Sequence, residues 1–179
     1  MRINFIPRAL VVILFLGSAF AVPASSQVSL VNVSWEISKL AGKNRLPYVP
    51  VEDLRAAPEF KFTDNLRAIV TLHNFSSKAA EGLVLRYALR LLLLKTGDAP
   101  EQAFWGVPFY VEEVRVSKIN PSSERNAKVI RFEIQSQFNK LKGSGFSPSA
   151  LKMEIMLSPH QGDEPSAIIR ESIIKILKP

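Results

Sequence analysis

Residues 82–95 read GLVLRYALRLLLLK. With period two, Leu83, Leu85, Tyr87, Leu89, Leu91 and Leu93 share one face, and Val84, Arg86, Ala88, Arg90, Leu92 and Leu94 share the other. Only Arg86 and Arg90 interrupt the apolar run, which is the pattern of a strand buried on one face with a mixed second face. A helical reading stays open, because leucine and alanine favour helix and Ser77 and Gly97 stand at capping positions. On a helix, however, Leu85, Leu89 and Leu93 would share a sector with Arg86 and Arg90. Gly82 would also lie inside the first turns, at roughly 1 kcal/mol against alanine. Strand is the expectation.

Upstream, residues 66–74 alternate Ala68, Val70 and Leu72 against Arg67, Ile69, Thr71 and His73, and residues 74–82 read as a turn into the central strand. In residues 28–38, Val31, Val33, Trp35 and Ile37 oppose Asn32, Ser34, Glu36 and Ser38, a half-buried strand with Trp35 as a core anchor. Residues 41–63 form a long segment broken by Pro47, Pro50 and Pro58, with a short extended piece over 48–51 and room for one helical turn over 51–57.

Downstream, residues 96–102 make a polar turn, and 104–110 (FWGVPFY) gather four aromatics around Gly106 and Pro108. Alternation resumes over 111–119, residues 120–127 (NPSSERNA) read as a turn, and 128–135 as a strand. A Gly/Ser-containing loop is expected over 138–149. A strand over 150–157 then sets Leu151, Met153, Ile155 and Leu157 against Lys152, Glu154 and Met156. The isoleucine-rich residues 167–177 fit a strand with a bulge or a short helix, and β-branching favours the strand. Some seven strands without a βαβ rhythm or internal repeat give an all-β class, an antiparallel immunoglobulin-like β-sandwich, with a closed barrel as runner-up.

The run AIVTLHNFSSKAAEGLVLRYALRLLL resembles the strand pair of bacterial immunoglobulin-like modules of the CARDB type. Val70, Leu72 and Asn74 match that family's first strand, Ala79 or Ala80 its alanine, and Val84 onward its second strand; Ser76 stands where the family prefers glycine. The resemblance spans about thirty residues and carries no catalytic motif. It implies a fold, and an asparagine at position 74 that ties the turn through side-chain hydrogen bonds.

Residues 1–21 read as a cleaved signal peptide: Arg2 and Arg8 form a basic start, residues 9–20 an apolar stretch, and Ala19-Phe20-Ala21 a cleavage site. The apolar stretch is shorter than the about 20 residues a spanning helix needs. Residues 22–26 would be a short linker and 27–179 a single domain. Cleavage would take Arg2 and Arg8 from the 23 basic residues, leaving 21 against 16 acids. These are interspersed, so no nucleic-acid footprint arises. The chain has no cysteine, which points to a bacterial envelope, periplasmic or secreted, rather than a disulfide-dependent eukaryotic one. No stable membrane insertion is expected after cleavage.

Catalytic signatures are missing. His73 and His160 have no partners at metal-ligand spacing, there is no G-x-S-x-G or phosphate loop, and Glu112 and Glu113 would face opposite sides of a strand. The expectation is a non-enzyme without cofactor or metal. Arg86 and Arg90 lie about 13–14 Å apart at strand rise, a stripe suited to pairing with Glu112, Glu113 or Glu133 across the sheet. Exposed aromatics beside Gly and Pro are typical of binding loops, so Trp105, Phe104, Phe109 and Tyr110, with Tyr48 of the Pro-rich segment 46–58, are the candidate partner-binding residues. The partner would be another envelope protein or polymer. The alternative is a periplasmic assembly chaperone that exposes an unpaired edge strand.

Overall fold

The computed structural model describes residues 27–55, 64–132, 134–141, 143–158 and 163–177. The expected signal peptide, the linker, His160 and most of the segment around Pro58 lie outside them. In chain order the elements are β1 (Val28–Ser38), β2 (Leu40–Ala41), β3 (Asn44–Arg45), β4 (Val49–Val51), β5 (Asp53–Arg55), β6 (Asn65–Asn74), β7 (Val84–Lys95), β8 (Phe104–Trp105), β9 (Tyr110–Arg115) and β10 (Ser123–Phe132). Then follow α1 (Ile134–Leu141), β11 (Phe146–Leu157), α2 (Pro165–Ile168) and β12 (Ile169–Leu177).

Two sheets stack. One is four-stranded, in the order β10-β6-β1-β4; the other is six-stranded, β5-β12-β11-β7, with β8 and β9 sharing the outer edge of β7. The chain crosses between sheets from β4 to β5, from β5 to β6, from β6 to β7, from β9 to β10 and from β10 to β11, the interleaving of a β-sandwich. Among the described pairs all are antiparallel except β5 with β12. The fold is all-β, as the period-two pattern of residues 82–95 requires, and the helical alternative falls. Gly82 adopts φ +73° in the turn before β7, a conformation that costs glycine little.

Leu85, Tyr87, Leu89 and Leu91 of β7 face Leu66, Ala68, Val70 and Leu72 of β6 in one buried core, joined by Leu151, Met153 and Ile155 of β11. Trp35 is buried there as expected, and its indole Nε1–H donates to Ser172 Oγ at 2.9 Å, linking β1 to β12 across the two sheets. Asn74 is fully buried. Its amide nitrogen donates to the carbonyls of Lys78 (2.8 Å), Asn120 (3.1 Å) and Ile119 (3.3 Å), and its oxygen accepts from the Ser76 N–H and hydroxyl. The side chain thus ties the turn after β6 to the segment before β10.

Several expectations are corrected. A bulge between Leu30 and Asn32 shifts the register of β1, so Val28 and Leu30 point inward while Val31 is exposed. One inserted residue reverses the parity of everything on its far side. The turn expected over 120–127 narrows, because Ser123–Ala127 pairs with β6 and its polar side chains belong to an edge strand. The expected strand over 128–135 stops at Phe132, and the expected loop over 138–149 holds part of α1, with Phe138 buried, and the start of β11. Pro148 is accommodated because β12 pairs with β11 only from Ala150 onward, leaving that end of β11 without a strand partner on one side among the described residues. Of the helical turn considered for 51–57, residues 51–55 are described and hold the end of β4 and β5, while the isoleucine-rich C-terminal segment is the favoured strand from Ile169 onward, after the short α2.

Candidate binding face

The aromatic segment 104–110 forms an interrupted edge strand. Phe104 and Trp105 pair with Leu93 and Leu92 of β7, the Gly106 N–H donates to Leu91 O at 2.9 Å, and the Phe109 N–H donates to Leu89 O at 3.0 Å. The segment read as a binding loop is therefore paired to the sheet at Trp105. A Cβ on Gly106 would come within 3.3 Å of Leu93 Cδ1, which keeps that position small.

Pairing distributes the aromatics instead of gathering them. Trp105 aligns with Leu92 on the outer face of the six-stranded sheet. Phe104 takes the opposite parity and packs edge-on to Phe146, with centroids 5.8 Å apart. Phe109 packs against the core. Tyr110 stacks on Tyr87 at 6.1 Å, and both hydroxyls donate to Glu112. Burial, with the Glu112 carboxylate beside it, drives the Tyr87 phenol far above its ordinary pKa; the hydrogen bond to Glu112 raises that of Tyr110. Tyr48 lies apart, just before edge strand β4, with the Arg67 guanidinium 3.7 Å from its ring centre. Of the five candidates, only Trp105 reaches the outer face of the six-stranded sheet.

That face was not anticipated as a surface. Its side chains stand in rows set by strand register: Lys175, Ala150, Leu92 and Trp105; then Ile173, Lys152 and Arg90; then Glu171, Glu154, Ala88 and Val111; then Ile169, Met156, Arg86 and Glu113. The two middle rows hold a ladder of charges. The Lys152 ammonium lies 2.8 Å from Glu154 and 3.2 Å from Glu171, and Arg90 Nε lies 3.0 Å from the other oxygen of Glu154. Lys152 is only 9% exposed, and its ammonium sits 4.9 Å from the Trp105 ring centre, within cation–π range. The hydrogen bond from Lys152 holds Glu154 below its ordinary pKa, with burial opposing and Arg90 adding to the effect. The reciprocal bond raises Lys152, again against burial and with help from Glu171. Arg86 bonds Glu113, one of its expected partners, whereas Arg90 takes Glu154.

Apolar ground flanks the ladder. On one side a groove of about 410 Å³ runs between Trp105, Leu92, Leu94, Ala150, Ile173 and Lys175. On the other a depression of about 170 Å³ lies over Ala88, walled by Val111, Met156 and Ile169. Val111, Ile173 and Ile169 are 62%, 53% and 50% exposed. Exposed apolar residues contiguous on one face mark interaction surfaces. The signal in the sequence was the outward parity of Leu92, Leu94, Met156, Ile169 and Ile173, visible once the strand registers are known. Among the described residues no group of three or more His, Asp or Glu side chains could hold a metal, and no helix is long and apolar enough to cross a membrane.

No protein-family model matches the chain, and no curated protein matches it.

Proposed function

We propose that the protein is an exported, non-catalytic module of a bacterial cell envelope, periplasmic or secreted, that binds or scaffolds another envelope component through the outer face of its six-stranded sheet. The observation that carries this reading is Trp105, held on that face above the buried ammonium of Lys152 and beside a groove lined almost wholly by apolar side chains. Tryptophan is among the residue types most enriched as interface anchors. The CARDB-type resemblance belongs to the same reading and is supported by the turn-tying bonds of Asn74. Against the chaperone alternative stand the charges on two of the edge strands, Glu112 on β9 and Glu124, Arg125 and Lys128 on β10, and Pro50 on a third, β4, which discourage strand addition.

The test is a pull-down from envelope extract with wild type and Trp105→Ala, run beside a thermal melt. Loss of about 2 kcal/mol or more of partner affinity is the result expected of an anchor. Equal recovery by two equally stable proteins contradicts it. Export is tested separately: N-terminal sequencing of the exported protein is expected to begin at Val22, and a start at Met1 in a membrane fraction contradicts that location.

A further inference from the structure

We infer that the envelope component covering this face is a second copy of the same chain, packed sheet to sheet; the inference rests on the face being the binding surface and names its partner. The argument is self-complementarity. The row of Lys152 and Arg90 is cationic, and the adjoining row of Glu171 and Glu154 is anionic. A two-fold axis lying in the interface, parallel to these rows and between them, turns a second copy over and sets its anionic row above the cationic row of the first. Lys152 then faces Glu154 of the second copy, and Glu154 faces its Lys152, as an isologous contact demands.

The same operation exchanges the outer two rows. Met156 and Ile169, which rise on one side of the ladder, come over Ala150 and Lys175, where the groove lies on the other side. Arg90 comes over the Ala88 depression, whose rim is Glu154. At the other end of these rows Arg86 and Glu113 of the second copy come over Leu92 and Trp105, where the arginine stem covers the apolar wall of the groove. The twisted sheets tolerate such an aligned packing.

Charge also argues for this occupant over an anionic polymer or lipid surface. The exported chain would carry 21 basic against 16 acidic residues, yet the cations at the middle of this face are already paired with Glu154 and Glu171. A neutral, alternating patch has little to offer a polyanion and suits a partner with the same alternation.

The experiment is sedimentation velocity on the purified exported protein, from low concentration to about 100 μM, with Ile169→Arg, which would face Lys175 of the second copy, and Ile173→Glu, which would face its Glu171, as interface variants. Phe75→Arg serves as control, since Phe75 is 62% exposed and follows the other sheet. Each protein is also melted. The expected result is a reversible dimer that both interface variants weaken about tenfold or more at little change in melting temperature, while Phe75→Arg leaves it intact. A wild type that stays monomeric throughout, or a dimer indifferent to both interface variants, overturns the inference. A monomer that still captures a partner through Trp105 overturns the dimer and leaves the binding reading standing. A dimer broken by both variants, with no other component captured, supports the dimer and removes the heterologous partner.

Discussion

The two outward faces of this sandwich were built under the same alternation and ended in different chemistry. On the four-stranded sheet the outer positions are mostly polar, Ile69 and the bulged Val31 apart. Thr71 donates to Asn126 at 3.0 Å, Arg67 pairs with Glu36 at 2.5 Å, and Lys128 and Glu124 stand exposed. On the six-stranded sheet the same positions hold Leu92, Met156, Ile169, Ile173 and Val111, and the charges among them are tied to one another. An antiparallel sheet with one wet face needs only the first arrangement. The second keeps apolar area in water at a cost in solubility, and it places a lysine stem and ammonium where solvent scarcely reaches. A difference of this kind between two faces of one domain supports the proposal that the second face is covered in use.

The largest effects should come from beneath both faces and should not distinguish them. Leu89→Ala, at a fully buried position, is expected to cost about 2–5 kcal/mol in chemical denaturation. Thr71→Ala, one layer out on the polar face, is expected within about 0.5 kcal/mol. A Leu89 loss as small as the Thr71 one would invert the assignment of inner and outer residues.

Next in size is a comparison of two asparagines on the four-stranded sheet. Asn74→Ala removes a side chain that satisfies three carbonyls and an N–H, and an expected loss of about 2–4 kcal/mol follows from those groups left unpaired in the interior. Asn126→Ala, exposed, should scarcely move the denaturation midpoint. Equal losses would mean that Asn74 is not the tie it is described as.

How much of this was legible in the residues turns on parity. Arg86 and Arg90 both fall on even positions of β7, so period two separated inner from outer residues there without ambiguity, and Val70, Leu72 and Asn74 behaved alike. Trp105 was found because its residue type is rare and its neighbours are Gly and Pro. The ladder was not found, since Lys152, Glu154, Glu171 and Arg90 come from three strands and meet only through register, which local pattern does not encode. The bulge at Val31 and the irregularity between Pro148 and Ala150 were hidden for the same reason. The helix α1 was missed although Ile134, Phe138 and Leu141 stand at helical spacing, because Ile130, Phe132 and Ile134 continued the alternation of the strand before it.

The smallest effect expected is that of pH on the ladder. Glu154 lies below its ordinary 4.5 in the folded protein, so its contribution is full above about that pH and is lost as pH falls through the folded value. Lys152 lies above its ordinary 10.5, so its contribution is full below that pH and is lost as pH rises through the folded value. Both slopes report one partly solvated network, and the change at either end should stay under about 1 kcal/mol. Urea midpoints followed with pH should lose both slopes in the double variant Lys152→Met, Glu154→Gln. Slopes unchanged in that variant would place their origin elsewhere.

The most direct test of the account is hydroxyl-radical footprinting of the protein in its envelope extract and, purified, at low concentration. Trp105 and Met156 on the six-stranded sheet are compared with His73 and the adjacent Phe75 of the other sheet. The account predicts that Trp105 and Met156 are protected in the extract while His73 and Phe75 react equally in both samples. Equal reactivity of all four residues in the two samples, or protection confined to His73 and Phe75, would contradict it.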